Sequence, residues 1–165
     1  MRKYSIEKTA GIILLNENNN KVLLIKSNEG HWGYPKGHRE KEDNNVYDNA
    51  IREVREEVGI KLNNSDLIQS FKETMYQYFF RRNSKKPLER KNGWIKKEIV
   101  FFAAMINEKT KIKIQKSELL SYKWMTYKAA ENALIKEDIK KHGKVGSIVK
   151  KYLIILNEAK KISNN

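Results

Sequence analysis

The run from Gly37 to Ile60, GHREKEDNNVYDNAIREVREEVGI, restricts this chain more than any other part of it. Ala50, Ile51, Val54 and Val58 recur at i, i+4 and i+7 or i+8, which predicts a helix over Val46 to Val58. Gly59 should stop that helix, since glycine enters the left-handed conformation without a Cβ clash. Glu53, Glu56 and Glu57 lie at i, i+3 and i+4, on one face of it. Carboxylates crowded in this way repel one another. A hard divalent cation reverses the repulsion, because it takes oxygen ligands and negative charge. One side of the helix is then buried and fixed while another presents acids, with Arg52 and Arg55 flanking them and free to pair with some. A solvated acidic face is the competing reading of the triplet alone. The surrounding order favours the metal. Gly37 lies upstream in a tight loop where its carbonyl can face an ion, and Gly59 follows the helix.

The rest of the chain reads as a mixed sheet around that helix. TAGIILL (9–15) and KVLLI (21–25) are strand-length apolar runs, and the Asn-rich segment between them predicts a hairpin turn. Residues 27–45 read as a loop, 67–80 as a strand or bent hairpin arm, 81–97 as a basic loop, and 99–106 as a buried strand. KIKI (111–114) and YKWM (122–125) read as short strands. Thr126 can cap a short helix over YKAAENAL. A last helix, about 147–161, carries an apolar stripe that suits packing on the sheet. The expected class is α/β in the α+β sense: a mixed β-sheet sandwiched between helices, one domain over residues 1–165.

Composition narrows the setting. With 165 residues and 39% hydrophobic side chains, the chain can bury a core. It has no cysteine, which excludes disulfides and thiolate metal sites and suits a reducing cytoplasm. No signal-peptide pattern and no apolar run near the ~20 residues of a membrane span is present, so a membrane role is not expected. A monomer is the expected state. The net charge of +14 draws polyanions, although a Lys-, Asn- and Ile-rich composition accounts for part of it.

Residues 37–60 resemble the Nudix box, G-x5-E-x7-R-E-U-x-E-E-x-G-U, where U is aliphatic. Gly37 is followed by five residues and then by Asp43 in place of Glu; eight residues rather than seven lead to Arg52. REVREEVGI then matches every specified position. Both departures lie before the helix, and they bear on Asp43, which the pattern makes the partner of the box arginine. The resemblance implies the Nudix fold and a metal-assisted hydrolase acting on a nucleoside diphosphate linked to another group. It implies that Glu53, Glu56 and Glu57 hold Mg²⁺, or Mn²⁺, together with the Gly37 carbonyl. SELLSYKWM (117–125) resembles the family's E-x-x-x-Y-x-W segment, which makes Glu118 a distant carboxylate that completes the metal site or acts as base. Glu53, Glu57 and Glu118 are the catalytic candidates; which of them takes the proton from water stays open.

The lead-in HWGYPKGH (31–38) resembles that of the asymmetrical diadenosine tetraphosphate hydrolases. On that likeness Lys36 meets a phosphate, His31 donates to a phosphate or leaving oxygen, and His38 shapes the loop. KEIVFFAAMI (97–106) resembles the family's K-x-V-x-Y/F strand, with Lys97 entering the site from a strand start. Tyr76, Tyr78 and Tyr122 are candidates to stack on a purine. The leading expectation is cleavage of dinucleoside polyphosphates, diadenosine tetraphosphate going to ATP and AMP. The segment 81–97 holds Arg81, Arg82, Lys85, Lys86, Arg90, Lys91, Lys96 and Lys97 around Trp94. It is longer and more basic than a compact dinucleoside hydrolase needs, and it suits RNA. An RNA 5′-end pyrophosphohydrolase or decapping enzyme is therefore the second reading, with inositol pyrophosphates as a third substrate class. A catalytically inactive Nudix-fold module that binds nucleotide or RNA is the alternative of another kind. Retention of the three glutamates argues against it.

Overall fold

A computed structural model of the chain describes residues 1–18, 20–82 and 92–163. Its elements in chain order are strands β1 (Ser5–Asn16), β2 (Lys21–Ser27), β3 (Trp32–Gly33) and β4 (Lys36–His38), then helix α1 (Val46–Val58). Strands β5 (Glu73–Arg81), β6 (Gly93–Ile106) and β7 (Leu119–Thr126) follow, and helices α2 (Tyr127–His142) and α3 (Ser147–Ser163) close the chain. The main sheet runs β3-β2-β1-β6-β5, with β4 on β1 and β7 on β2. β1 and β6 are parallel from Ser5↔Ile95 to Asn16↔Ile106, while the other pairs are antiparallel.

Both faces of β1 and β6 are covered, which explains their unbroken apolar runs. Alternate residues go to opposite sides. Ile12, Leu14, Val100 and Phe102 pack with Val54 and Val58 of α1. Ile13, Leu15, Ile99 and Phe101 pack with Leu134 of α2 and with Tyr152 and Leu156 of α3. The expected sandwich of a mixed sheet between helices is what forms.

β1 divides its free edge between two partners. Thr9, Ala10 and Gly11 pair with His38, Gly37 and Lys36 of β4, and only Leu15 pairs with Val22 of β2. The strands separate between these points, and the cavity described below opens there. The approach of β4 requires Gly11, where a Cβ would stand 2.2 Å from the Pro35 carbonyl oxygen.

Several boundaries differ from the sequence reading. The 27–45 segment contains β3 and β4. Residues before Glu73 form a 3₁₀ turn at Asn64–Asp66 and a single bridge, Leu67↔Ala104, so β5 starts six residues later than expected. β6 begins at Gly93 because Lys96 and Lys97 are paired on both sides, with β1 and with β5. Residues 93–97 are therefore strand. Of the basic stretch, Lys85, Lys86, Arg90 and Lys91 lie outside the described residues. KIKI is not a strand. Lys113 and Gln115 donate backbone N–H groups to Val58 and Glu57 at the end of α1, and Ile112 and Ile114 pack beside it. The alternation there serves packing rather than pairing. Thr126 does cap α2, accepting from Ala129 N at 3.2 Å, and the helix runs 16 residues, twice the expected stretch.

Candidate active site

α1 is fixed at both ends by its own sequence. Asn45 accepts a hydrogen bond from Asp48 N at 2.9 Å, and Gly59 takes φ 75°. Its apolar stripe lies on the sheet, and this turns Glu53 and Glu57 inward against β4. They are only 9% and 7% exposed, whereas Glu56 stays half-exposed. At Gly37 a Cβ would stand 2.1 Å from the Glu53 carboxylate, so any side chain here would displace that carboxylate. Its carbonyl accepts from Asn49 Nδ2 at 3.2 Å. The Lys36 backbone N–H donates to Glu57 Oε2 at 2.9 Å.

Arg52 organises the approach to these acids. Its Nε and Nη2 bond Asp43 Oδ1 and Oδ2 at 3.0 and 2.9 Å, and Nη2 also reaches the His38 carbonyl at 2.8 Å. Asp43 thus partners the box arginine in spite of its shorter side chain and the extra residue before the helix. Arg52 Nη1 donates to Glu53 Oε1 at 2.8 Å and to Glu56 Oε2 at 3.0 Å. The carboxylates share one face as expected, but two of them lean on Arg52 and do not converge on a point. Among the described residues, no three acidic or histidine side chains stand arranged to grip one ion.

The electrostatics nonetheless suit a cation. Burial pushes Glu57 up to about 8, against the pull of Lys36, with Glu53 and Glu118 adding repulsion. Burial likewise pushes Glu53 up to about 7, against Arg52, with Glu56 and Glu118 raising it further. A cluster of buried acids that repel each other, all offering oxygen, is the donor set of a hard divalent ion. Glu53, Glu56, Glu57, Glu118 and the Gly37 carbonyl fit that role once Glu53 and Glu56 turn from Arg52.

The acids open on a cavity of about 1040 Å³, at the upper end of small-molecule sites. Its lining brings together His31, Lys36, Gly37, His38, Glu53, Glu56, Glu57, Lys97 and Glu118, which the sequence spreads over residues 31 to 118. The Lys36 ammonium is held above its ordinary range by Tyr152 first, then by Glu57 and Glu53, while burial acts the other way. His38 is 3.2 Å from Glu7 Oε2, which ties β4 to β1. His31 stands at the rim, 3.4 Å from Lys141 Nζ and parallel to the His142 ring at 6.4 Å. Lys97 is the fifth residue of β6 rather than its start. Tyr76, Tyr78 and Tyr122 are not part of the lining; they are exposed on the strands. On β5 it is Gln77, between two of those tyrosines, that faces the cavity.

Sequence reading missed the wall contributed by α2 and α3, namely Asp138, His142, Val149 and Tyr152. No short motif marks them, and only the packing of the last helices brings them to residues 31–37. It also missed Glu7, whose carboxylate is clasped by Arg81 and is pushed down to about 2, chiefly by that contact and also by His38. A depressed acid stabilises the fold above its unfolded value near 4.5, and loses that contribution as pH falls toward 2. Glu7→Gln should therefore lower stability at pH 7 by about 1 kcal/mol, discounted for the partial exposure of the pair. Urea unfolding should show that gap closing between pH 4.5 and 2, and a gap constant across this window would contradict the assignment.

The strand order and the acid-lined cavity define a mixed α/β fold with a carboxylate-bearing helix set against its site. The NUDIX domain model matches residues 6–145, and the chain belongs to the Nudix family. Members of this family are pyrophosphohydrolases that use a divalent metal, typically Mg²⁺. Nudix hydrolase 6 of Arabidopsis thaliana is 32% identical over 121 residues, 70% of this chain and 37% of that protein. The m7GpppN-mRNA hydrolase of Saccharomyces cerevisiae is 28% identical over 156 residues, 93% of this chain and 14% of that protein. The chain thus spans little more than a third of the first relative and a seventh of the second. Among solved structures, the C. elegans Ap4A hydrolase binary complex has a TM-score of 0.61 at 20% identity, covering 92% of this chain and 98% of that one. The E. coli dihydroneopterin triphosphate pyrophosphohydrolase also reaches 0.61, at 18% identity, over 89% and 94%. At such identities these two report the fold alone. Among the described residues, no helix is long and apolar enough to cross a membrane.

Proposed function

We infer that the chain hydrolyses a phosphoanhydride bond in a dinucleoside polyphosphate, diadenosine tetraphosphate first, with Mg²⁺ or Mn²⁺ as cofactor. The observation that carries this reading is the position of Lys36, Lys97 and three buried or half-buried glutamates on one cavity large enough for a dinucleotide. Glu53, Glu56, Glu57 and Glu118 would hold the metal with the Gly37 carbonyl. When bound, a divalent ion polarises phosphoryl oxygens and lowers the pKa of a coordinated water.

The protein's own groups do the rest. Lys36 and Lys97 neutralise the phosphate chain and fix its register, His31 reaches the substrate from the rim, and His38 keeps β4 in place. Glu53, Glu57 or Glu118 accepts the proton of the attacking water. Water adds to one phosphorus as the bridging oxygen leaves with its electron pair, and diadenosine tetraphosphate yields ATP and AMP. The 28% identical mRNA hydrolase, which aligns with 93% of this chain, supports a second reading: hydrolysis at an RNA 5′ end.

One assay separates them. Purified protein with Mg²⁺ is offered diadenosine tetraphosphate, 5′-triphosphate RNA, capped RNA and an inositol pyrophosphate. A kcat/KM at least about tenfold higher for the dinucleotide supports the first reading, and the reverse order supports the second. Turnover of none of them favours a binding module.

A further inference from the structure

The two sides of the β5–β6 hairpin differ in kind. One side gives Gln77 and Lys97 to the cavity. The other carries Tyr76, Tyr78 and Phe80 on β5, with Trp94 opposite Phe80 and Lys96 opposite Tyr78 on β6. It is the side on which α1 packs, but farther along the strands. Tyr78 and Phe80 are 57% and 47% exposed. The rings are linked edge to face: Tyr78 to Tyr4 at 5.6 Å, Tyr4 to Trp94 at 6.4 Å, and Trp94 to Phe80 at 5.2 Å.

Cations are laid over this surface. Arg2 sits 4.2 Å from the Trp94 ring centre, Lys96 4.7 Å from Tyr76, and Arg82 5.6 Å from Phe80. Cross-strand aromatic pairs stabilise a hairpin, and that alone explains Phe80 with Trp94. It does not explain why Tyr76, Tyr78 and Phe80 remain exposed, with a cation over three of the five rings. Aromatic rings flanked by Arg and Lys on an open sheet match the chemistry of an unpaired polynucleotide, whose bases stack while its phosphates meet the cations.

We propose that this face, Tyr4, Tyr76, Tyr78, Phe80 and Trp94 with Arg2, Arg82 and Lys96, is a docking platform for single-stranded RNA, on the face of the β5–β6 hairpin opposite Gln77 and Lys97. The choice of RNA rests on the second reading of the cavity given above; the binding itself does not depend on hydrolysis. It is measured with a fluorescent 5′-hydroxyl oligouridine of about 12 nucleotides, a length matched to stacking platforms. Such a strand offers the cavity no phosphoanhydride, and EDTA in the buffer removes the metal.

Fluorescence anisotropy of the full chain should show binding that weakens as salt rises. Phe80→Ala and Lys96→Glu should each weaken it about tenfold, while Lys128→Glu, the same charge reversal at an exposed position of α2, leaves it within about twofold. Lys96→Glu keeps the ring pairs intact, so it reports on the platform even where Phe80→Ala loosens the hairpin. Hydrolysis of diadenosine tetraphosphate by Lys96→Glu should match the unaltered protein. A duplex of the same length bound as tightly as the single strand would overturn the proposal, since paired bases cannot stack on a protein ring. So would affinity that Lys128→Glu lowers as much as Lys96→Glu does, which would mean diffuse charge. Unaltered RNA affinity in both face variants would also overturn it and leave the surface to a protein partner.

Discussion

Glu57→Gln is expected to lower kcat/KM by about 100-fold or more on whichever phosphoanhydride substrate turns over. The substitution keeps the shape of the side chain, and its amide oxygen can still accept the Lys36 backbone N–H now bonded to Glu57 Oε2. What it removes is charge. Glu57 is 7% exposed and burial holds it up to about 8, so in the absence of a cation its ionised form is a burden to the fold. Folded stability should therefore be unchanged or raised while activity collapses. Steady-state kinetics beside urea unfolding tests both halves together. Turnover near that of the unaltered protein would remove Glu57 from the reaction. A collapse of stability along with activity would make its role structural.

Arg52→Ala should act in the opposite way, on the fold before the chemistry. Arg52 is 11% exposed in its side chain, Asp43 is 3% exposed, and the pair makes two hydrogen bonds with a third to the His38 carbonyl. Removing the guanidinium leaves Asp43 and Glu53 buried without their main counter-charge, a loss of about 3 kcal/mol. The loop from Gly37 to Asn45 should loosen first, because Arg52 ties both Asp43 and the His38 carbonyl to α1. Urea midpoints report the size of the effect. A loss below about 1 kcal/mol would mean that the Glu40 N–H, 2.8 Å from Asp43 Oδ2, already satisfies this carboxylate.

How far residues spoke for themselves depended on how local their partners were. α1 spans the residues its apolar period marks, and Gly59 ends it, because cap, stripe and stop all lie within one stretch of chain. Asn45, one residue before the helix, caps it by the same local logic. The Asp43–Arg52 pair was legible only as a family pattern, since the two lie nine positions apart and the start of the stretch between is irregular. Gly11 and Gly37 look alike in sequence, yet Gly11 is required by the Pro35 backbone across the sheet, while Gly37 leaves room for the Glu53 carboxylate of the helix. The tyrosines of β5 illustrate the limit. Alternation shows that Tyr76 and Tyr78 share a side and Gln77 takes the other, but which side meets the cavity follows from pairing with β6 and from β6 lying on β1.

What residues 37–60 determined alone was a capped helix with one apolar and one acidic side, and with it the family. What only the tertiary structure decided was the use of those acids. Burial against β4 made two of them poor anions, Arg52 took hold of Glu53 and Glu56, and α2 and α3 closed the wall of the cavity. The reason is physical: a helical period is a property of neighbours in sequence, whereas desolvation and charge pairing depend on groups that are neighbours only once the chain has folded.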